Sequence, residues 1–203
     1  MNTRVEHFGT GTLLQAVAAR ADLSSAFRAV AVLFVTVLTI VAAQVSIPLP
    51  FTPVPFTLQP MVVLLGGAAL GARLGMSSQI LYIALGIAGL PVFAASPILP
   101  QGFGRLLGPT GGYLMSYPIA AFVAGYLAQR GLGRRYSTSV LAMSAGLAII
   151  FACGVAWLAF GAHVGLAGAI KTGLLPFIPA DIIKVLLAAT VLPAAWRFLR
   201  PPQ

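Results

Sequence analysis

Two charged residues of opposite sign stand three positions apart in an otherwise apolar stretch near the C-terminus. Asp181 and Lys184 follow the segment Phe177-Ile-Pro-Ala180 and precede an apolar run that ends near Leu199. Side chains at this spacing share one face of a helix, so the two can form an ion pair. A charge inside an apolar helix is costly and by default marks a functional site. The alternative is that Asp181 complements the helix dipole, with Lys184 as its neutralising partner.

A third charge lies in a glycine-rich segment, Gly102-Phe-Gly-Arg-Leu-Leu-Gly-Pro-Thr-Gly-Gly-Tyr113. Glycines permit tight turns and let main-chain amides approach a ligand closely. The segment leads into a predicted helix whose N-terminus favours an anion, and an arginine can hold a carboxylate through two parallel hydrogen bonds. The alternative is a surface arginine in a flexible loop. The candidate binding residues here are Arg105, Thr110, Gly111, Gly112 and Tyr113.

Other polar and aromatic side chains lie within the apolar runs or at their ends. Gln59 opens the second run and can offer its amide to a ligand, although helix capping or helix packing explains it equally well. Tyr82, Tyr117 and Trp157, together with Tyr113, are either pocket walls or a belt at the membrane interface. We interpret these aromatic residues as a belt, because tyrosine and tryptophan are enriched where membrane meets water.

The composition shows what kind of chain must position these residues. Of 203 residues, 59% are hydrophobic and 7% are charged, whereas soluble domains carry roughly 25% charged residues. The net charge of +9 comes from arginines spread over short loops, which indicates membrane topology rather than nucleic-acid binding. The sequence has one cysteine and no metal-ligand spacing, so we expect no metal and no cofactor. It also lacks a serine–histidine dyad and paired intramembrane acids, which argues against an enzyme.

Apolar runs of about 20 residues predict membrane helices. Four prolines between positions 48 and 55 interrupt the pattern and predict an ordered, extended loop. Small residues recur at every fourth position, as in Gly67, Gly71 and Gly75, which predicts close helix packing within the bundle; the alternative is docking to another membrane subunit. The fold class is all-α and polytopic, with a cytoplasmic N-terminal segment at 1–26 and one transmembrane domain at 27–200. The six helices are predicted at 27–46, 57–72, 74–90, 112–128, 139–160 and 179–199.

The distribution of basic residues predicts the orientation of this bundle. Six helices place both termini on one side, and nine of the 12 lysines and arginines fall there. The other three are Arg105, Lys171 and Lys184. Because cytoplasmic loops carry the excess of lysine and arginine, both termini are predicted to be cytoplasmic. The proline-rich loop and the Arg105 segment then face outside.

Three segments in this order resemble the BioY family, the biotin-specific S components of energy-coupling factor (ECF) transporters. They are Pro53-Val-Pro-Phe-Thr-Leu-Gln59, Gly108-Pro-Thr-Gly-Gly-Tyr-Leu114 and Phe177-Ile-Pro-Ala-Asp-Ile-Ile-Lys184. The likeness runs from about residue 28 to 199. Where the family often has Pro-Gly-Asp, this chain has Pro179-Ala-Asp181, which keeps the acid.

The resemblance implies a six-helix S-component bundle in the bacterial cytoplasmic (inner) membrane that captures biotin from the outer side. It also implies partners, namely a transmembrane coupling subunit and ATPase subunits that drive release inward. Asp181 would then accept hydrogen bonds from the ureido N–H groups, while Arg105 and Lys184 would meet the carboxylate or the ureido oxygen. The alternative function is a solitary proton-coupled carrier of a small carboxylate or vitamin that uses Asp181.

Overall fold

The fold is mostly helical, as seen in a computed structural model that describes residues 12–14, 25–96 and 99–199. A short antiparallel pair, β1 (Ser46–Ile47) and β2 (Phe56–Thr57), is the sheet in this part of the chain. Irregular π-helical turns at Ala128–Leu132 and Trp157–Gly161 extend the fifth and sixth helices. The helices are α1 (Ser25–Gln44), α2 (Gln59–Leu70), α3 (Ala72–Ile87), α4 (Gly104–Leu107), α5 (Gly111–Leu127), α6 (Tyr136–Ala156), α7 (Leu166–Gly173) and α8 (Ile178–Leu199).

Three stretches are long and apolar enough to cross a membrane, namely Ser25–Gln44, Tyr136–Gly161 and Ile178–Phe198. Their outer faces carry large apolar side chains that no other part of the described chain covers, as at Phe34 on α1 and Leu187 on α8. Such exposed apolar surface suits contact with lipid. Mostly helical architecture with membrane-spanning helices therefore agrees with the fold class that the composition indicates.

The six predicted spans each overlap one helix, namely α1, α2, α3, α5, α6 and α8. The second is shorter than its predicted span, because Thr57 belongs to β2, Leu58 precedes the helix as its N-cap, and Gly71 ends it with a φ of +91°. Two short helices, α4 and α7, lie in segments for which we predicted loops. The predicted N-terminal segment lies outside the described residues, except for 12–14 and 25–26.

The helix α5 lies at the centre of the bundle, where it contacts α2, α3 and α6. Small residues allow this contact: a Cβ atom on Gly67 of α2 would collide with the main chain of Ala121, and one on Gly125 of α5 would lie 2.5 Å from Ala72 N. Without hydrophobic attraction between helices in lipid, such close backbone approach supplies the packing energy.

A small polar cluster joins α1 to α3 inside the bundle. Gln79 donates to Thr39 Oγ1 at 3.2 Å and to Ser78 Oγ at 3.1 Å, and Thr36 Oγ1 donates to the Ser78 carbonyl at 3.0 Å. All four side chains are buried. The cluster lies away from the cavity described below and serves to hold the first helix against the third.

Candidate ligand-binding site

The proline-rich segment folds back on itself and delivers two polar side chains to the start of α2. Strand β1 pairs with β2 in the register Ser46 with Thr57, so the prolines between them form the turn. Pro60 occupies the first turn of α2, where a missing amide hydrogen has no cost. Thr57 Oγ1 donates to the side-chain oxygen Oε1 of Gln59 at 3.4 Å and accepts from the main-chain N–H of Gln59 at 3.3 Å. Both side chains are thereby held at the same edge of the bundle.

The first turns of α8 supply the charged pair. Lys184 Nζ lies 2.6 Å from Asp181 Oδ1, and the two residues are 7% and 3% exposed. The same ammonium donates to the Thr57 carbonyl at 2.6 Å and lies 3.7 Å from the centroid of the Phe56 ring. The predicted ion pair is therefore present, and Lys184 also ties α8 to the end of the hairpin. A buried pair of this kind is more than a surface complement to a helix dipole.

Arg105 enters the site from α4 and is buried, with 1% of its surface exposed. Its Nη2 donates to the carbonyl oxygen of Ala94, whereas Nε has no hydrogen-bond partner among the described residues. Burial lowers the pKa of the guanidinium from its ordinary value, yet arginine keeps its charge in proteins. The alternative of a surface arginine in a flexible loop is therefore wrong, because the side chain points inward with unused donor capacity.

The tyrosines of the bundle also face inward. Tyr113 donates its hydroxyl to the Gly173 carbonyl of α7 at 2.7 Å, and its ring occupies the space that Gly154 leaves open on α6. Tyr82, Tyr113 and Tyr117 are 0%, 7% and 4% exposed. Our interpretation of these three as an interfacial belt is wrong, and two of them, Tyr113 and Tyr117, line the cavity.

These elements line a cavity that is partly open, and about 600 Å³ of space free of protein atoms, including open solvent, lies within it. Its walls are largely apolar, with side chains such as Val54, Phe93, Leu114, Ile150 and Phe177. Six of the eight predicted binding residues line it, namely Gln59, Arg105, Thr110, Tyr113, Asp181 and Lys184. The hydroxyl of Thr110 is buried there without a hydrogen-bond partner in the described residues.

The two remaining predicted residues, Gly111 and Gly112, do not line this cavity. A Cβ atom on Gly111 would collide with the Leu106 carbonyl, and one on Gly112 would collide with Trp157. The indole of Trp157 in turn donates to the Gly108 carbonyl at 2.9 Å. The glycine pair therefore lets the first turn of α5 pack against α4 and against the π-helical turn that extends α6. The main chain at these two positions contacts protein rather than the cavity.

A chain of hydrogen bonds runs behind the cavity wall and reaches a residue that we had not chosen as part of the site. Gln59 Nε2 donates to the Tyr82 hydroxyl at 2.7 Å, and that hydroxyl lies 3.3 Å from the Val92 carbonyl. The Tyr82 ring meets Phe93 edge to face at 5.6 Å. Together with Lys184 and Thr57, these contacts connect α8, the hairpin, α3 and the segment after α3.

The arrangement offers a carboxylate, two cations, an amide and a free hydroxyl on an apolar surface. A ligand with an apolar body and polar groups at separate points suits such a cavity. No three side chains of histidine, cysteine, aspartate or glutamate gather into a metal-binding group within the described ranges.

Comparison with known proteins gives consistent results. A model of the BioY family matches residues 13–201. The probable biotin transporter BioY of Pyrococcus horikoshii is 43% identical over 155 residues, which covers 76% of this chain and 86% of that protein. The biotin transporter BioY of Thermotoga maritima is 42% identical over 156 residues, covering 77% and 88%. The crystal structure of the S-component for biotin from an ECF-type ABC transporter aligns with a TM-score of 0.76, at 26% identity, covering 86% of this chain and 95% of that one.

Proposed function

Since this chain belongs to the BioY family, we propose that it is the biotin-binding and uptake component of an ECF transporter. The observation that carries the proposal is that Asp181, Lys184 and Arg105 line one and the same largely apolar cavity. Biotin has an apolar bicycle and chain, a ureido group with two N–H donors and one acceptor, and a carboxylate. Each of these features has a chemical complement in the cavity wall.

The roles of the charged residues follow from what they can exchange. Arg105 has a free Nε donor and suits the carboxylate, because a guanidinium binds a carboxylate more strongly than a neutral donor does. Asp181 is an acceptor and suits a ureido N–H, while its partner Lys184 keeps the buried carboxylate compensated. Thr110 adds an unpaired hydroxyl. Gln59 and Tyr113 complete the polar wall.

The energy for transport is proposed to come from other subunits. The glycine-rich segment at 102–113 lacks the Gly-Lys-Ser/Thr that a phosphate-binding loop requires. A transmembrane coupling subunit and ATPase subunits of an ECF module are therefore the expected partners, with this chain as the subunit that selects the ligand.

The proposed topology is six membrane helices, α1, α2, α3, α5, α6 and α8, with both termini in the cytoplasm of a bacterium. Two features support it. The cavity lies at the N-terminal ends of α2, α5 and α8, whereas the opposite ends of α2 and α5 border a groove lined by Arg28 and Arg73. Two arginines thus line the end away from the cavity, and that end carries nine of the 12 lysines and arginines by the predicted topology, as expected if the cavity opens outward.

Labelling of single cysteines tests this topology. In a Cys153→Ser background, Ser137→Cys and Lys171→Cys each introduce a thiol at an exposed position. A membrane-impermeant maleimide applied to intact cells should label the cysteine at 171 and reach the one at 137 only after permeabilisation. The opposite pattern, or labelling of both from outside, would contradict the topology.

The proposed ligand is tested by equilibrium binding of radiolabelled biotin to the purified chain in detergent. We expect saturable binding that Asp181→Asn, Lys184→Met and Arg105→Ala each weaken strongly. Lys171→Met and Arg130→Ala are matched controls, since both side chains are exposed and outside the cavity. Absence of biotin binding by folded wild-type protein would refute the proposal.

A solitary proton-coupled carrier that uses Asp181 is the second candidate, motivated by this one buried acid. Uptake by cells that express this chain without ATPase subunits separates the two. Biotin accumulation that collapses with the proton gradient would favour the carrier, and accumulation that requires an ECF module would favour the S component.

A further inference from the structure

We propose that Tyr82, which lies behind the cavity wall, is a positioning residue that sets which end of the Gln59 amide faces the ligand. Through this contact the site becomes selective for a ligand N–H group at that point. The inference rests on the proposed function, because the N–H groups of biotin are those of its ureido ring.

The direction of the hydrogen bonds at Tyr82 is determined by its neighbours. A carbonyl oxygen can only accept, so at the 3.3 Å contact with Val92 the Tyr82 hydroxyl donates its single hydrogen. At the 2.7 Å contact with Gln59 the hydroxyl oxygen must then accept, which places Nε2 of the amide on this side. Tyr82 is fully buried and packed edge to face on Phe93, so its hydroxyl cannot turn to water instead.

The other end of the amide consequently faces the ligand side. Gln59 Oε1 lies beside Thr57, which lines the cavity, whereas Nε2 lies beside Tyr82, which does not. The Thr57 hydroxyl uses one lone pair of Oε1, and a carbonyl oxygen has two. An acceptor is thus presented to the cavity, next to the Lys184 ammonium that Thr57 holds through its carbonyl.

Rotation of the amide by half a turn would lose these contacts. Oε1 would then meet the Tyr82 hydroxyl, whose hydrogen would have to leave Val92, and the Val92 carbonyl would keep only the 3.4 Å contact from Gln44 Nε2. Nε2 would meet the Thr57 hydroxyl, which could accept this second bond but would lose Oε1, the oxygen to which it donates. Weakening or losing a buried hydrogen bond is unfavourable, so the contacts with Tyr82 and Thr57 together favour one orientation of the amide.

The test compares affinities for biotin with those for two analogues, each methylated at one ureido nitrogen, and for biotin methyl ester. The purified full chain is measured as wild type, Tyr82→Phe, Gln59→Leu and the double variant. Ser78→Ala is the matched control, because it removes a buried hydroxyl one turn earlier on α3 without touching the cavity.

Methylation at the nitrogen that meets Gln59 removes one hydrogen bond and adds bulk, whereas in Gln59→Leu it adds bulk only. We expect the wild-type preference for biotin over that analogue to exceed the Gln59→Leu preference by about five- to tenfold. In Tyr82→Phe the preference for biotin over that analogue should fall toward the value measured for Gln59→Leu. The double variant should show the same preference as Gln59→Leu. The preference for biotin over its methyl ester should stay unchanged in Tyr82→Phe, since Arg105 is held separately by Ala94.

Several outcomes would overturn the inference. Equal weakening of all four ligands by Tyr82→Phe would mean a purely structural role, and an unchanged preference would mean that Tyr82 does not orient the amide. If Tyr82→Phe does not fold, Gln59→Glu decides, because it keeps an acceptor oxygen but loses the amide donor. A retained preference supports the proposed orientation, and a lost preference refutes it. Failure of wild-type protein to bind biotin would overturn the proposed function together with this inference.

Discussion

Replacement of Lys184 by methionine should damage the protein in two separable ways. The variant removes an ammonium that lies 2.6 Å from Asp181 Oδ1 and donates to the Thr57 carbonyl, also at 2.6 Å. Methionine is similar in length to the apolar part of the lysine side chain, but it leaves the carboxylate of Asp181, a residue that is 3% exposed, without its counter-ion. Breaking one partner of a buried ion pair costs about 3–5 kcal/mol.

Part of this cost appears in stability and part in affinity. We expect a lower melting temperature for Lys184→Met and an affinity for biotin at least about 100-fold weaker, which corresponds to about 2.7 kcal/mol. The double variant Asp181→Asn/Lys184→Met carries no uncompensated charge, so its stability should recover most of the loss. Its affinity should not recover, because the acceptor for the ureido group has changed as well.

The assays are thermal unfolding of the purified protein in detergent and binding of radiolabelled biotin. Lys171→Met is the control, since it removes an exposed lysine from α7. A double-mutant cycle isolates the coupling between the two charges. Additive losses of stability, with no recovery in the double variant, would refute the view that the pair is mutually compensating. Biotin affinity of Lys184→Met within threefold of wild type would refute a role in the site.

Two further substitutions test other walls of the cavity. Arg105→Gln should lower the affinity for biotin by about tenfold or more and the affinity for biotin methyl ester much less, because a charge-assisted contact contributes about 1.5–3 kcal/mol. Arg130→Gln replaces an exposed arginine that stacks over an aromatic ring, and it should change neither affinity. Gly154→Ala should lower both stability and affinity, since its methyl group would overlap the Tyr113 ring, and overpacking costs about 1–3 kcal/mol. Gly133→Ala should be tolerated in the same unfolding and binding measurements, because a Cβ atom there would lie at ordinary contact distance, 3.4 Å or more, from its neighbours.

The charged residues of the site could be predicted from the sequence because charges are rare in apolar helices. The spacing of Asp181 and Lys184 was sufficient to predict their pairing, and the helix supplies the geometry. What spacing alone could not reveal is the bond from Lys184 to Thr57, which joins residues 127 positions apart. Such contacts depend on how the hairpin folds over the bundle, and no local pattern encodes that.

The tyrosines show the opposite case. An aromatic residue with a hydroxyl suits a membrane interface and a buried polar contact equally, so its type does not decide between them. The burial of Tyr82 depends on Gln59 and Val92, which supply its hydrogen-bond partners from other segments. The sequence signal available for this contact was a glutamine, Gln59, and a tyrosine, Tyr82, in neighbouring apolar helices.

The glycine pair at Gly111 and Gly112 was chosen because glycine-rich turns before a helix favour anions. That expectation assumed an open loop, whereas the segment forms the short helix α4 and folds back onto α5. A helix of four residues has too little periodicity to be read from the chain. The space that these glycines leave is therefore filled by the protein itself, by Leu106 and Trp157.

The bond from Lys184 to the Thr57 carbonyl also has a consequence for the time scale of ligand exchange. Val54 and Pro55, in the proline-rich turn, contribute directly to the cavity lining, and Thr57 lies two residues after Pro55. An outward movement of this turn that carries Thr57 with it would therefore stretch a charge-assisted bond. The affinity for the ligand and its residence time need not change in parallel. A variant that weakens the bond between Lys184 and the Thr57 carbonyl would exchange its ligand faster even if every contact with the ligand were preserved.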